Sequence, residues 1–419
     1  MSTILQKLNA GTPEERLNNL KALLPGLTLP PVGTDVNNHI HTTYSFSPYS
    51  PTAGAYMARA SGLCTAGIMD HDTIMGAREF IAACDLVKIG STCGVECRVS
   101  LEGTRLAGRL INNPDQRGVA YIVLHGVPHP RIEEVDAFFA PLRVKRNERN
   151  KKMVQKLNEV LMNAGIQLSF SRGVLPLSLY DRGGSVTERH ISSALALAIE
   201  RKAGRGDALI AFLRDALNKP VEEKYCALFR QEENLYFHYD LIGWIKAELV
   251  PDFYIGADEE LAPIRDVLSL SERVGAISAY SYLGDITDSV TGDKRAQKFE
   301  DEYLDLLFEE IEALGFRAVT YMPARNTKAQ IERIRKKIKQ GGFLEISGED
   351  INQPRQPFVC EAMKEASLAP LKDSAWALVA HERVGEGLFH PNTVRVYSEI
   401  ADRAQRFAIQ GKRFVSIEG

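Results

Sequence analysis

The 419 residues predict an α/β fold built on a parallel sheet or barrel, and three observations carry that reading. Short apolar runs alternate with longer stretches of helical period, the rhythm of β-then-α units. Histidine- and carboxylate-bearing motifs fall where the apolar runs finish, and in a parallel barrel the strand C-termini form the active face. Hydrophobic residues make up 44% of the chain, enough for a sizeable core.

In chain order, the apolar runs predict strands at Asp35–His41, Ala66–Met69, Thr92–Val99, Val119–Leu124, Gly275–Ser281, Ala318–Tyr321 and Phe343–Ser347. Helical spacing predicts helices at Pro51–Gly62, Ile74–Ile89, Lys298–Leu314 and Thr327–Gln340, the last stopped by Gly341-Gly342. Between the fourth and fifth strands lies a long stretch without strand rhythm. It reads as a helical insertion over about 130–270. Residues 1–34 and 356–419 read as helical extensions flanking a domain at 35–355.

The charge balance is nearly even, 51 basic against 54 acidic residues, so no whole-molecule field favours nucleic acid or membranes. The first residues lack a signal-peptide layout, and no apolar run approaches about 18 residues. Six cysteines show no zinc-ribbon spacing, so reduced thiols in a cytoplasmic protein are expected. No obligate protein partner is evident.

The chemistry concentrates in short runs. NNHIHTTYSFSP carries His39 and His41, GIMDHDTIMGA carries Asp70, His71 and Asp72, and TCGVECRVS carries Glu96. An H-x-H pair at a strand end aims both imidazoles the same way, because side chains repeat every two residues. Imidazoles beside a carboxylate suit Zn, Fe or Mn, and open positions make such a site catalytic. Each residue has a plainer reading. His71 could bond backbone between two turn aspartates. His190 could be a solvated helix histidine. His125 and His129 read as loop histidines or as replacement ligands, and Cys93 and Cys97 as buried small hydrophobes. The basic run 142–156, with Arg143, Arg146 and Arg149, reads either as a phosphate clamp or as a solvated helix face.

Taken together, HIHTTYS, MDHDTIMGA, GVE, TERHISSAL and ISGEDIN, in that order, resemble the PHP (polymerase and histidinol phosphatase) family, most of all its nucleotide phosphoesterase and exonuclease branch. LSLSERVGAISAYS and LGFRAVTYMP add weaker matches, and the resemblance spans residues 35–355. It implies a distorted seven-stranded (β/α)7 barrel holding one to three divalent ions (Zn, Mn or Fe). His39, His41, Glu96 and Asp350 would hold one ion, His71 a second, and His190 with a bridging Glu96 a third. The departures from the family pattern are Phe46 for an aspartate, Tyr121 for the fourth-strand histidine, Tyr280 for the histidine of an alanine-histidine-proline run, and Asn352 for a final histidine. One site is thus complete and two are depleted.

The expected activity is hydrolysis of a phosphate ester, of a small phosphorylated substrate such as a nucleotide or of a nucleic-acid end. The nucleophile would be a metal-bridging hydroxide, because no serine, cysteine or aspartate sits in an activated-nucleophile motif. Arg149 and Arg189 are the expected phosphate grips. The alternative is a PHP-fold module that has lost catalysis and binds a metal or ligand.

Overall fold

The computed structural model describes residues 3–113, 115–285 and 298–384. Eight strands form one sheet: β1 (Val36–Ile40), β2 (Thr65–His71), β3 (Gly90–Ser100), β4 (Val119–His125), β5 (Ala262–Pro263), β6 (Ile277–Ser281), β7 (Ala318–Tyr321) and β8 (Leu344–Ser347). The main path runs β1-β2-β3-β4-β6-β7-β8, and the two-residue β5 pairs with β3 off that path. Seven strands therefore make the wall of a nearly closed α/β barrel. The wall closes through the segment after β8. Ile351 exchanges backbone hydrogen bonds with His39 and His41, each at 3.0 Å, and the Asn38 amide donates to the Ser347 carbonyl at 2.8 Å.

Neighbouring strands on that path are parallel except at β4, which runs antiparallel to both β3 and β6. A reversed strand needs no crossover helix, and between β3 and β4 the described residues of 101–118 form no helix. The parallel connections use helices as expected, at Pro51–Ala60, Ala77–Val87, Leu304–Leu314 and Lys328–Gly341. Gly342 caps the last of these at φ 67°, the left-handed turn glycine takes without strain.

Met69, Val123, Ile277, Ala279, Ala318, Leu344, Ile346 and Leu378 form a separate apolar cluster. Met69 lies two residues before His71, and Val123 two after Tyr121. By strand alternation this cluster fills the barrel beneath the histidine-bearing rim. A larger core lies between the wall and the surrounding helices.

The helices from Ile132–Val160 to Val250–Phe253 pack around their own core, which includes Trp244, Phe229 and Phe237. At the N-terminus the helix Pro13–Leu23 is tied down by buried Arg16, which grips Glu79 through Nε (2.8 Å) and Nη2 (2.6 Å). The helix Pro370–Val384 packs against the wall. Of the extension expected at 356–419, residues 385–419, His390 among them, lie outside the described residues. Among the described residues no helix is long and apolar enough to cross a membrane.

Candidate metal centre

Three adjacent strands deliver the rim. His39 lies on β1 and His41 one residue past its end, with ring centroids 5.0 Å apart. His71 ends β2, its ring 4.6 Å from that of His41. Glu96 lies on β3 directly across the ladder from His71. These converge on one atom. Glu96 Oε2 stands 3.6 Å from His39 Nε2, 3.7 Å from His41 Nε2 and 3.1 Å from His71 Nδ1. Asp350, in the closing segment after β8, places Oδ1 3.2 Å from His41 Nε2. Gly348 lets that segment pass close, since a Cβ there would sit 2.7 Å from His39 Cβ.

The loop after the H-x-H pair is fixed from β2. Buried Asp70 accepts the Thr42 N–H at 2.7 Å, the Thr42 hydroxyl at 2.6 Å and the Ser45 hydroxyl at 2.6 Å. This loop contains Phe46 at φ 89°, and Asp72 just past His71 sits at φ 53°. Left-handed backbone at non-glycine residues costs energy and collects at functional sites.

The donor set fits a divalent ion. His41 is buried, and its Nε2 makes no hydrogen bond of good geometry although two carboxylates face it. Burial opposes charge throughout the cluster, so each shift reports which force wins. Burial pushes the Glu96 carboxyl up, but His39 and His71 outweigh it and hold it far below the ordinary range. Asp350 is held low in the same way against burial, by His41, His39 and Arg189. Burial keeps the His41 imidazole below its usual value, with His71 and His39 adding to the effect. Burial is outweighed at His39, which Glu96 and Asp350 raise. Ionised carboxylates and a neutral His41 are the states ligation requires, and two imidazoles with carboxylates match zinc, manganese or iron. His39, His41 and Glu96 each offer a donor atom, all within 4.8 Å of one another.

His190 stands apart from this set. It opens the helix Glu188–Ala203 as the third residue after Thr187, and its Nδ1 accepts the Thr187 N–H at 3.0 Å. A neutral ring that accepts at Nδ1 carries its proton on Nε2, so in this arrangement neither nitrogen is free to ligate. Its ring packs edge-on against Phe46 at 5.1 Å, and burial depresses its pKa to about 3, with Arg146 adding to the shift.

The other departures from the family pattern take distinct places. Tyr121 lies on β4 with its ring 6.0 Å from that of His71. Tyr280 packs against Phe316 in the outer core, away from the interior, so it does not stand in for the missing histidine, and Ser281 lines the cavity instead. Asn352 bridges charges: its Nδ2 donates to Asp350 Oδ1 at 2.6 Å, and its Oδ1 accepts Arg189 Nη1 at 2.7 Å.

A cavity of about 400 Å³ opens over the rim, lined among others by His39, His71, Glu96, Tyr121 and Arg189. Spacing in the sequence did not flag Tyr282, Thr320 and Tyr321, which also line it; their one signal is position at or just beyond a strand end. Arg149 is not among the lining residues. It is 5% exposed, pairs with Glu260 through Nε at 2.5 Å and donates Nη1 to the Ile255 carbonyl at 2.7 Å. Arg143 and Arg146 of the same helix are buried too. Arg146 pairs with Asp72 and Glu188, and Arg143 with Asp136 at 2.8 Å. The basic run thus turns three arginines inward onto buried partners.

No protein-family model matches the chain, and no curated protein matches it in sequence. Solved structures similar in fold include the following two. One is named as a metal-dependent phosphoesterase from Bifidobacterium adolescentis, with TM-score 0.51 and 19% identity over 81% of this chain and 96% of that one. The other is an amidohydrolase from Chromobacterium violaceum, with bound sulfate and no metal, at TM-score 0.51 and 17% identity over 78% of this chain and 90% of that one.

Proposed function

We propose that the chain is a metal-dependent phosphoesterase, acting on a nucleotide, another small phosphorylated molecule or an oligonucleotide end. The observation that carries this reading is the meeting of three imidazole nitrogens within 3.7 Å of Glu96 Oε2 at the mouth of a 400 Å³ cavity. Buried histidines gathered on one carboxylate are costly packing and a good metal cage. The names of both structural neighbours fall among hydrolases, which supports the reaction class by analogy of fold.

His39, His41, Glu96 and Asp350 would hold the first ion, with His71 on the open side. A divalent ion supplies Lewis acidity at the phosphoryl oxygens and acidifies water for attack. The side chains do the rest. Arg189, fixed by its bond to Asn352, orients phosphoryl oxygens and neutralises their charge as it develops. Tyr121, Tyr282 and Tyr321 give the cavity walls against which the leaving group packs and water is excluded. Glu96 Oε2, 3.1 Å from His71 Nδ1, keeps that ring oriented. Hydrolysis breaks the phosphorus–oxygen ester bond, water adds to phosphorus, and the leaving alkoxide takes a proton.

A binding module without turnover is the second reading. It is favoured by His190, whose Nδ1 is committed to Thr187, and by Asn352, tied up by Arg189. A panel of phosphomonoesters and phosphodiesters with Mn, Zn and Fe supplied in turn separates the two. Turnover abolished by chelator and by His39→Ala supports the hydrolase, and no turnover despite measured metal loading establishes the module.

A further inference from the structure

A second cluster of metal-ligand side chains lies outside the rim. Cys93 is on β3, three residues before Glu96, and the alternation of strand side chains turns it to the opposite face of the wall. His129 opens the turn after β4, and Glu382 comes from the helix Pro370–Val384 that packs against the wall. One donor atom from each lies within 4.8 Å of the other two. Three elements distant in sequence thus bring a thiol, an imidazole and a carboxylate to one point.

The carboxylate is the informative member. Glu382 is 0% exposed, and its partners are the Cys93 backbone N–H at 2.7 Å and His129 Nε2 at 3.4 Å. Among the described residues His129 is the one basic side chain paired with it. A buried carboxylate is expensive without a firm counter-charge, and one imidazole at that distance is a weak one. Cys93 is 1% exposed, and its Sγ–H donates to the Val127 carbonyl at 3.4 Å. Zinc bonds of about 2.0–2.3 Å place tetrahedral donors about 3.5 Å apart. The carboxylate and imidazole already meet that separation, so only the thiol side has to draw in.

We propose that Cys93, His129 and Glu382 form a second metal site, suited to Zn²⁺, which staples the helix Pro370–Val384 to the barrel wall. Thiolate, imidazole and carboxylate together select zinc over magnesium or calcium. The site is separate from the rim and does not depend on the phosphoesterase reading.

The test uses the full chain, stripped of metal, reloaded with Zn²⁺ and analysed for metal per protein. In a His39→Ala background, which disables the rim, about one zinc per chain is expected to remain and to raise the thermal midpoint. Adding Cys93→Ala, a small-for-small change within a buried position, should remove both the zinc and the rise. Co²⁺ in place of Zn²⁺ should give a thiolate-to-cobalt charge-transfer band that Cys93→Ala abolishes. Glu382→Gln should weaken the ion tenfold or more, and if that variant does not fold, Cys93→Ala alone decides. Equal zinc content and identical cobalt spectra with and without Cys93 overturn the proposal, as does a His39→Ala protein that retains no zinc.

Discussion

Replacing His125 with leucine should make the protein more stable and less sensitive to acid. His125 ends β4 and is 1% exposed, and neither ring nitrogen has a hydrogen-bond partner within the protein. Burial, reinforced by His39, depresses its pKa to about 3, against about 6.5 in the unfolded chain. Between these values the unfolded state binds a proton that the folded state refuses, so stability is full above pH 6.5 and falls as the pH drops toward 3. From pH 7 to pH 5 this one group costs about 2 kcal/mol. Leucine has a similar volume and no polar atoms, so it also removes the cost of an unpaired buried group, about 1–2 kcal/mol. Urea unfolding midpoints at pH 7, 6 and 5 for both proteins measure the effect, provided the slopes agree. His190 is depressed as strongly but is common to both, so the difference isolates His125. Parallel pH profiles, or a leucine variant weaker at pH 7, would refute the reasoning by showing that the ring is satisfied.

His39→Ala or Asp350→Ala should strip the tightest-bound ion, whereas His71→Ala should leave it in place, as read by elemental analysis after dialysis. Arg146→Met should cost about 3–5 kcal/mol in unfolding free energy, because it removes the cation shared by Asp72 and Glu188 from a buried position. Lys88→Gly should stabilise by about 1 kcal/mol, since Lys88 is an exposed residue held at φ 61° as a helix C-cap; thermal unfolding checks it.

The sequence made the barrel legible because most strands of the wall are β-rich apolar runs closed by glycine, proline or polar residues, and the H-x-H and D-H-D runs mark where β1 and β2 stop. Glu96 instead lies four residues before the end of β3, and the two-residue β5 carries no signal of its own. The sequence hid the reversal of β4, because alternation has the same period in either direction. Helical period began at Lys298, yet the helix starts at Leu304. The residues before it are committed elsewhere: Phe299 donates its N–H to Asp285, and the Glu300 carboxylate accepts the N–H groups of Leu283 and Gly284. The place of His190 was readable in another register. T-E-R-H has the spacing of a capping box with histidine in the acceptor position, and that local bond competes with ligation. Arg149 could not be placed from its run, because its partner Glu260 lies far along the chain and only the fold brings them together.

Glu96 and Asp350 at the rim and Glu188 on the cavity wall are held strongly acidic. Arg146 pairs with Glu188, which leaves two carboxylates to balance one divalent ion. Arg189 already adds a positive charge that bears on Asp350. A second ion near His71 would therefore enter a site of net positive charge, unless an anion comes with it. A phosphate group carries that anion, and Arg189 faces the same cavity. Binding of the second ion and of phosphate should accordingly be coupled, each strengthening the other by the same factor. Calorimetric titration with Mn²⁺ should give one site without phosphate and two with it, the second at least tenfold tighter than in its absence. Arg189→Met relieves the repulsion, so the second ion should then bind better without phosphate and gain less from it. A second-ion affinity indifferent to phosphate would contradict the charge argument while leaving the first site untouched.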